Sequence, residues 1–278
     1  MAARTWTLPN DEPCATVRAM ETQARFSGFE RLAGPDAMRR LARAHVLVVG
    51  LGGVGSWVVE ALARSGVGAL TLMDGDDVCV SNTNRQLHAV LDAVGKPKAE
   101  VLADRVRAIN PDCRVTVRAE FFHRTAEDRP FEAPFDGVVD CIDGVMAKAT
   151  LIGNCLRRDI PVVSCGAAAG KLDPGQVQTA DLARVHHDRL LMFVRKKLRK
   201  HYGLPGRGNK LMGIPCVFSP EPVRAPAGCE PIAEASADPL GDAASGPACE
   251  GRLGSAVFVT ATFGFHAAAA LIRRLCAL

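Results

Sequence analysis

The chain predicts an α/β fold: a doubly wound, Rossmann-like, mostly parallel sheet with a C-terminal antiparallel extension and a long crossover loop. Three observations predict it. Val46 to Val49 is an apolar run that ends in a glycine cluster, Gly50, Gly52, Gly53 and Gly55. An amphipathic helical stretch follows, and then a second apolar run, Ala69 to Met73, closed by Asp74. Beyond it, strand-like and helix-like segments alternate to about residue 170.

Taken in order, residues 1–20 read as a weakly ordered lead-in, and Glu21 to Ala44 carries two short helical patterns. The second begins at Pro35, a residue suited to a first helical turn. Strand 46–49, helix 53–65 and strand 69–73 form a β-α-β unit, followed by a polar loop, 75–86. Val101, Leu102, Val106 and Ile109 recur at helical spacing, so Lys98 to Asn110 is a helix stopped by Asn110-Pro111. Arg114 to Glu120 alternates as a strand does. Phe135 to Ile142 is a further strand, Lys148 to Arg158 a helix, and Pro161 to Ser164 a strand before the Gly-Ala run Cys165 to Gly170.

The character changes near residue 171. Short antiparallel strands are expected within Lys171 to Ala183, and a basic helix over Arg189 to His201. Tyr202 to Gly254 is rich in Pro, Gly and Ala without periodicity, as expected of a functional lid or a disordered segment. One domain is expected over 1–278, with a nucleotide-binding core at about 25–170 and a substrate-side extension and lid at about 171–278.

Composition excludes several classes. Of 278 residues, 48% are hydrophobic, enough for a sizeable core, and a net charge of +4 is too weak by itself to imply nucleic acid. The ten cysteines include no CxxC pair, which argues against a four-cysteine zinc site. With no signal-peptide pattern at the N-terminus, a reducing cytoplasm and free thiols are expected. Ser255 to Ile272 is nearly continuously apolar and reaches the lower limit of a membrane span. Thr260, Thr262, Gly264 and His266 suit it poorly to lipid, so a buried strand over Ala256 to Thr260 running into a C-terminal helix is expected.

The chemistry lies between Gly50 and Asp143. Gly50 permits the tight turn after the first strand, and Gly52 and Gly53 let backbone amides approach phosphate oxygens. The following helix offers its positive end to the anion. Asp74, at the end of the second strand, stands where a carboxylate accepts hydrogen bonds from ribose hydroxyls. Asp76 holds a cation or braces the loop. Alone, this pattern does not choose NAD over ATP. Arg85 and Lys98 discriminate, because departure of pyrophosphate needs cations in the transition state and a redox dinucleotide does not. Asn82, Asn84 and Gln86 add amides for phosphate and for orienting the arginine. Asp143 follows a strand at the same sheet edge and suits Mg²⁺ through oxygen ligation, or caps the next helix.

The motifs GLGGVGS, DGDDVCVSNTNRQ, GKPKAE and CIDG resemble those of the ubiquitin-activating-enzyme-like adenylating proteins, over about residues 25–170. The resemblance implies acyl-adenylate formation from ATP and a carboxylate, usually by a homodimer. It carries Gly53, Asp74, Asn82, Arg85, Gln86, Lys98 and Asp143 over as ATP and Mg²⁺ residues, with Gly50, Gly52, Gly55, Asp76 and Asn84 beside them. RFSGFERLAG, DDVCVSNTNRQLHA, AINPDCRVTV, PCVFSPE and VFVTATFGF resemble, over most of the chain, the branch that dehydrates threonylcarbamoyladenosine in tRNA. There are departures from the carrier-activating members. Gly28 stands where they have an arginine that reaches a neighbouring subunit's ATP, with Arg25 and Arg31 nearby, and their zinc tetracysteine is absent.

The densest basic tract is Arg195, Lys196, Lys197, Arg199 and Lys200, with Arg207 and Lys210 beyond. On its own it reads equally as a solvated helix face or as a phosphate-binding surface. The resemblance favours the backbone of tRNA near the anticodon. Buried apolar cysteine is the default for Cys79, Cys141, Cys165 and Cys216, and Cys216 is the best candidate for a thiol with a role. The rival reading is adenylation of a ubiquitin-like sulfur carrier at its C-terminus, and docking of a sulfur-transfer protein stays open. An NAD-dependent oxidoreductase leaves Arg85, Lys98 and Asp143 unused, and a non-catalytic binding module leaves the whole set unused.

Overall fold

The computed structural model describes residues 15–123, 131, 133–205, 210–224 and 253–278. Seven strands lie in one sheet: β1 (His45–Val49), β2 (Ala69–Met73), β3 (Arg114–Arg118), β4 (Gly137–Asp140), β5 (Val162–Cys165), β6 (Gln178–Asp181) and β7 (Pro215–Phe218). Their spatial order is β3-β2-β1-β4-β5-β7-β6. Only the β6–β7 pair is antiparallel. The winding reverses between β1 and β4, and an open sheet holds its ligand in the crevice at such a switch point, outside the strands' carboxyl ends. Val49 pairs with both Met73 and Asp140. The three strand ends that lead into Gly50, Asp74 and Cys141 are therefore level.

β1 shows why a parallel strand reads as a continuous apolar run: both of its faces are covered. Val46 and Val48 face one layer with Val58, Leu62, Leu102, Val106, Phe263 and Leu271. Leu47 and Val49 face the other with Leu151, Ile152, Leu191, Val194, Leu198 and Phe218. The first layer comes from α2 (Pro35–Arg43), α3 (Gly55–Arg64), α4 (Lys98–Ile109) and α7 (Val257–Cys276), with Phe29 and Ala33 of α1 (Ala15–Ala33) at its margin. The second comes from α5 (Val145–Arg157) and α6 (Arg189–His201). Each fully buried Leu or Phe contributes about 1.5–3 kcal/mol, so the two layers are the main source of stability.

Three expectations need correction. The strand expected over Ala256 to Thr260 is instead the first turn of α7. Val and Thr favour strands when judged singly. However, Val259, Phe263, Ala267 and Leu271 recur every four residues and form one buried stripe, and that packing outranks propensity. The antiparallel pair does not form within Lys171 to Ala183. β6 pairs with β7, Gln178 opposite Phe218, and β7 lies in the stretch read as aperiodic, because four residues are too few to display a period. Helix α1 begins at Ala15, inside the expected lead-in. The lid expected over 202–254 falls largely on residues 225–252, outside the described residues. Among the described residues, no helix is long and apolar enough to cross a membrane.

Candidate active site

The turn after β1 needs glycine at two places. Gly50 has φ of +84°, and a Cβ there would lie 2.7 Å from the Cys141 carbonyl oxygen. A Cβ on Gly55 would lie 1.8 Å from the Gly50 carbonyl oxygen, so helix α3 starts hard against the turn. Gly52 and Gly53 lie under the next loop. A Cβ on Gly53 would be 3.3 Å from Arg85 Cγ, and one on Gly52 would be 3.8 Å from Gln86 Nε2.

Asp74 ties the turn to the second strand. Its Oδ2 accepts a hydrogen bond from Leu51 N at 2.6 Å and its Oδ1 accepts one from Asp76 N at 2.8 Å. Asp76 in turn accepts from Lys98 Nζ at 2.7 Å through its carboxylate, and from Lys98 N at 3.0 Å through its carbonyl. Lys98 is the first residue of α4 and is 5% exposed.

The loop between is self-braced. Asn82 Oδ1 accepts from Cys79 N at 3.1 Å, which closes the short turn Val80–Asn82. Arg85 Nη1 donates to Ser81 O and to Asn84 Oδ1, both at 2.9 Å. The Arg85 carbonyl accepts from Trp57 Nε1 on α3 at 3.2 Å and from Thr260 Oγ1 on α7 at 3.3 Å. Asn84 Nδ2 donates to Ser255 O at 2.9 Å. The start of α7 therefore holds the arginine loop over the glycine turn.

Asp143 is exposed two residues beyond Cys141, at the carboxyl end of β4. An exposed hard carboxylate at that edge fits Mg²⁺, which keeps several waters and shares nucleotide phosphates rather than needing a protein cage. The structure thus brings Gly50, Gly52, Gly53, Gly55, Asp74, Asp76, Asn82, Asn84, Arg85, Gln86 and Lys98 to the level carboxyl ends of β1, β2 and β4, with Asp143 following β4.

Beneath this edge lies a pair that sequence reasoning missed. Asp140 and Lys148 are both fully buried and 2.8 Å apart. Asp140 also accepts from Ser164 Oγ at 2.7 Å and from Ile142 N at 3.1 Å. Burial alone pulls the Lys148 ammonium down, yet the Asp140 carboxylate outweighs it and holds the lysine above its ordinary value, charged. The signal was present as the one charged residue of α5 before Arg157.

The basic helix α6 docks beside the crevice through Asp188. That carboxylate accepts from Leu191 N and from Ala167 N past the end of β5, both at 2.9 Å, while burial pushes its carboxyl up. Within the tract, Arg195 is engaged with the carbonyls of Leu182 at 3.0 Å and Val185 at 2.8 Å, and Arg199 with that of Pro205 at 3.0 Å. Lys196, Lys200 and Lys210 are exposed and Lys197 is half-buried, whereas Arg207 lies outside the described residues. Cys216 sits inside β7, and burial pushes its thiol well above the ordinary range, which makes it a core residue. Arg25 donates to Ile109 O at 3.2 Å, and Arg31 is exposed at the end of α1.

Known proteins resemble this chain in sequence and in fold. The ThiF family model matches residues 24–203. The Escherichia coli (strain K12) tRNA threonylcarbamoyladenosine dehydratase is 45% identical over 256 residues, 91% of this chain and 94% of that protein. The E. coli molybdopterin-synthase adenylyltransferase is 42% identical over 135 residues, but this covers only 48% of this chain and 53% of that protein. The crystal structure of the E. coli tRNA N6-threonylcarbamoyladenosine dehydratase in complex with ATP superimposes with a TM-score of 0.80 at 42% identity, covering 92% of this chain and 95% of that one. The chain belongs to the ThiF family, and within it stands with the tRNA threonylcarbamoyladenosine dehydratases.

Proposed function

We propose that this protein is an ATP-dependent dehydratase that cyclises threonylcarbamoyladenosine in tRNA through an acyl-adenylate. The observation that carries the reading is the likeness over nine-tenths of the chain, extension included, to a dehydratase solved with ATP. Carrier-adenylating relatives match less: one at 42% identity covers 48% of the chain and another at 33% identity covers 70%, against 45% identity over 91% for the dehydratase.

The chemistry follows from the groups at the crevice. A carboxylate is a poor electrophile, and its oxygen leaves badly. Attack of the carboxylate oxygen on the α-phosphorus of ATP forms a C–O–P link and releases pyrophosphate. Arg85 and Lys98 stabilise the charge that grows on the departing phosphates, and the glycine-turn amides bind the phosphate oxygens. Asp74 keeps lone pairs on both oxygens for the ribose hydroxyls. Asn82, Asn84 and Gln86 order the loop that carries the arginine. Asp143 would hold Mg²⁺, which supplies charge neutralisation on the phosphates when bound. In the second step an atom of the same threonylcarbamoyl group attacks the acyl carbon. AMP leaves with the former carboxylate oxygen, and the net change is the loss of one water. Because attacker and acyl carbon share one molecule, closure gains from effective molarity and needs no covalent cysteine.

The site residues in these roles, the exposed lysines of α6 as tRNA contacts, the one-domain organisation and a cytoplasmic setting all belong to this proposal. So does a homodimer. Its support is α7, which presents Phe258 and Phe265 48% and 47% exposed, with Trp57 of α3 edge-on to Phe265 at 5.9 Å.

The test is nucleoside mass analysis after incubating threonylcarbamoyl-modified tRNA with the protein, ATP and Mg²⁺. Loss of one water with release of AMP is the expected result. An unchanged nucleoside, with ATP–pyrophosphate exchange that depends on a carrier protein, establishes carrier adenylation instead. Arg85→Ala and Lys98→Ala are each expected to lower pyrophosphate exchange by about a hundredfold or more. Unaltered exchange in either removes that residue from the mechanism.

A further inference from the structure

Three buried side-chain atoms among the described residues have no hydrogen-bond partner in the protein: Gln86 Oε1 and both ring nitrogens of His88. They lie within three residues of one another. Gln86 and His88 are 6% and 3% exposed. Unmet polar atoms in a protein interior cost stability, so each asks for an explanation. A loosely built loop does not explain these, because the backbone around them is pinned. Leu87 N donates to Ser56 Oγ at 3.2 Å, Ala89 N to Gln86 O at 3.2 Å and Val90 N to His88 O at 2.9 Å.

The neighbour that matters is Lys98. Its charge reaches His88: burial first, and then the lysine's ammonium, hold the imidazole down to about 4. Across the neutral range, therefore, one ring nitrogen carries an unused lone pair. Lys98 has three ammonium protons, and Asp76 Oδ2 takes one of them. Lys98 has protons to spare and His88 has an unmet acceptor; both are buried, and Ala89, next to His88, packs in one small apolar cluster with Val101, on the first turn of the helix that Lys98 opens. Asp76 is half open to solvent, so alone it is a mobile anchor for the ammonium.

We propose that His88 is a positioning residue for Lys98: its imidazole accepts a second ammonium proton through one buried water and aims the lysine at the phosphates. The proposal deepens the reading of the crevice as an ATP site and rests on it.

A double-mutant cycle tests this. ATP affinity by calorimetry and melting temperature without ligand are measured for the wild type, His88→Leu, His88→Gln, Lys98→Ala and the double variant His88→Leu/Lys98→Ala. His88→Leu removes both unmet atoms, so its melting temperature is expected to hold or rise while its ATP affinity falls about tenfold. His88→Gln, which restores an acceptor, is expected to recover part of the affinity. The double variant is expected to bind ATP no more weakly than Lys98→Ala alone. Three results overturn the proposal: undiminished ATP affinity in His88→Leu, full additivity in the double variant, or a fall in melting temperature that tracks the affinity loss without rescue by Gln. A wild type that binds no ATP overturns the ATP-site reading instead. In that event the same cycle in melting temperature decides the pairing, and additivity there overturns it.

Discussion

Lys148 shows how a residue can be decisive while touching no substrate. It neutralises Asp140 at the end of β4, just before the backbone that seats the glycine turn and Asp143. Lys148→Met keeps the volume and leaves the carboxylate buried and unpaired. Breaking a buried pair in this way typically costs about 3–5 kcal/mol. A denaturant titration is expected to show a lower midpoint with little change in slope. A midpoint within error of the wild type shows that Asp140 is protonated and the pair dispensable. His88 makes a second residue-scale prediction. Below its ordinary value of 6.5 the unfolded chain takes up a proton that the folded chain refuses down to about 4. Stability contributed by keeping His88 neutral is therefore complete above 6.5 and is lost as pH falls through that window, by roughly 3 kcal/mol in total. The measurement is the gap in unfolding free energy between the wild type and His88→Leu. It is expected to shift in favour of the variant as pH drops from 7 to 4, and a pH-independent gap refutes the assignment. At this scale the sequence was legible where backbone geometry dictates the residue. Gly50 read as a tight turn, and no Cβ fits there; Gly55 read only as part of the glycine cluster, and its contact with the Gly50 carbonyl emerged from the structure. Asp140, Lys148 and His88 were not legible, because pairing and burial between residues distant in sequence leave no local pattern.

Among the elements, α7 was the hardest to read and does the most for the site. Its run of Val, Phe and Thr looks like a strand, yet it packs as a helix along α3. The approach is so close that a Cβ on Gly264 would stand 2.6 Å from Trp57 Cβ. Thr260 uses that proximity to brace the Arg85 carbonyl. Helix α6, by contrast, was legible at both ends, because Asp188 caps it and its basic last turn suits a helix C-terminus. Strands β1 and β2 were legible because full burial writes an uninterrupted apolar run. β7 was not, since its only mark is four residues within a Pro- and Gly-rich stretch. The outward face of α7 carries its own prediction. Phe265 and Phe258 lie seven residues apart, two turns along one exposed stripe, and Trp57 extends that stripe onto α3. A charge placed there opposes its own copy across a two-fold axis. Phe265→Glu is expected to shift sedimentation from dimer to monomer without lowering the melting temperature of the isolated subunit. A wild type that sediments as a monomer, or a variant that stays dimeric, removes α7 from the interface.

For the molecule as a whole, the sheet sets the nucleotide crevice at the β1–β4 switch point and hangs the basic helix off the end of β5, the strand next to β4. The strand order as far as β5 follows from alternation of strands and helices. The far edge does not, because β6 and β7 pair across a long intervening segment. This layout separates two electrostatic tasks. Under the proposed function, cations at the crevice would act on ATP over hydrogen-bond distances, whereas the exposed lysines on and beyond α6 would meet a polyanion and release its counterions. Arg195 and Arg199 are tied to carbonyls, so Lys196, Lys200 and Lys210 are the exposed cations expected to answer to salt. Replacing all three with Gln is expected to reduce the slope of log affinity for tRNA against log salt by about 2–3, roughly one per lysine lost. The same variant should retain the wild-type affinity for ATP measured without RNA, because none of the three lies at the glycine turn. An unchanged slope places the tRNA on another face of the protein. A joint loss of ATP affinity means that α6 supports the crevice through Asp188 rather than reading the RNA.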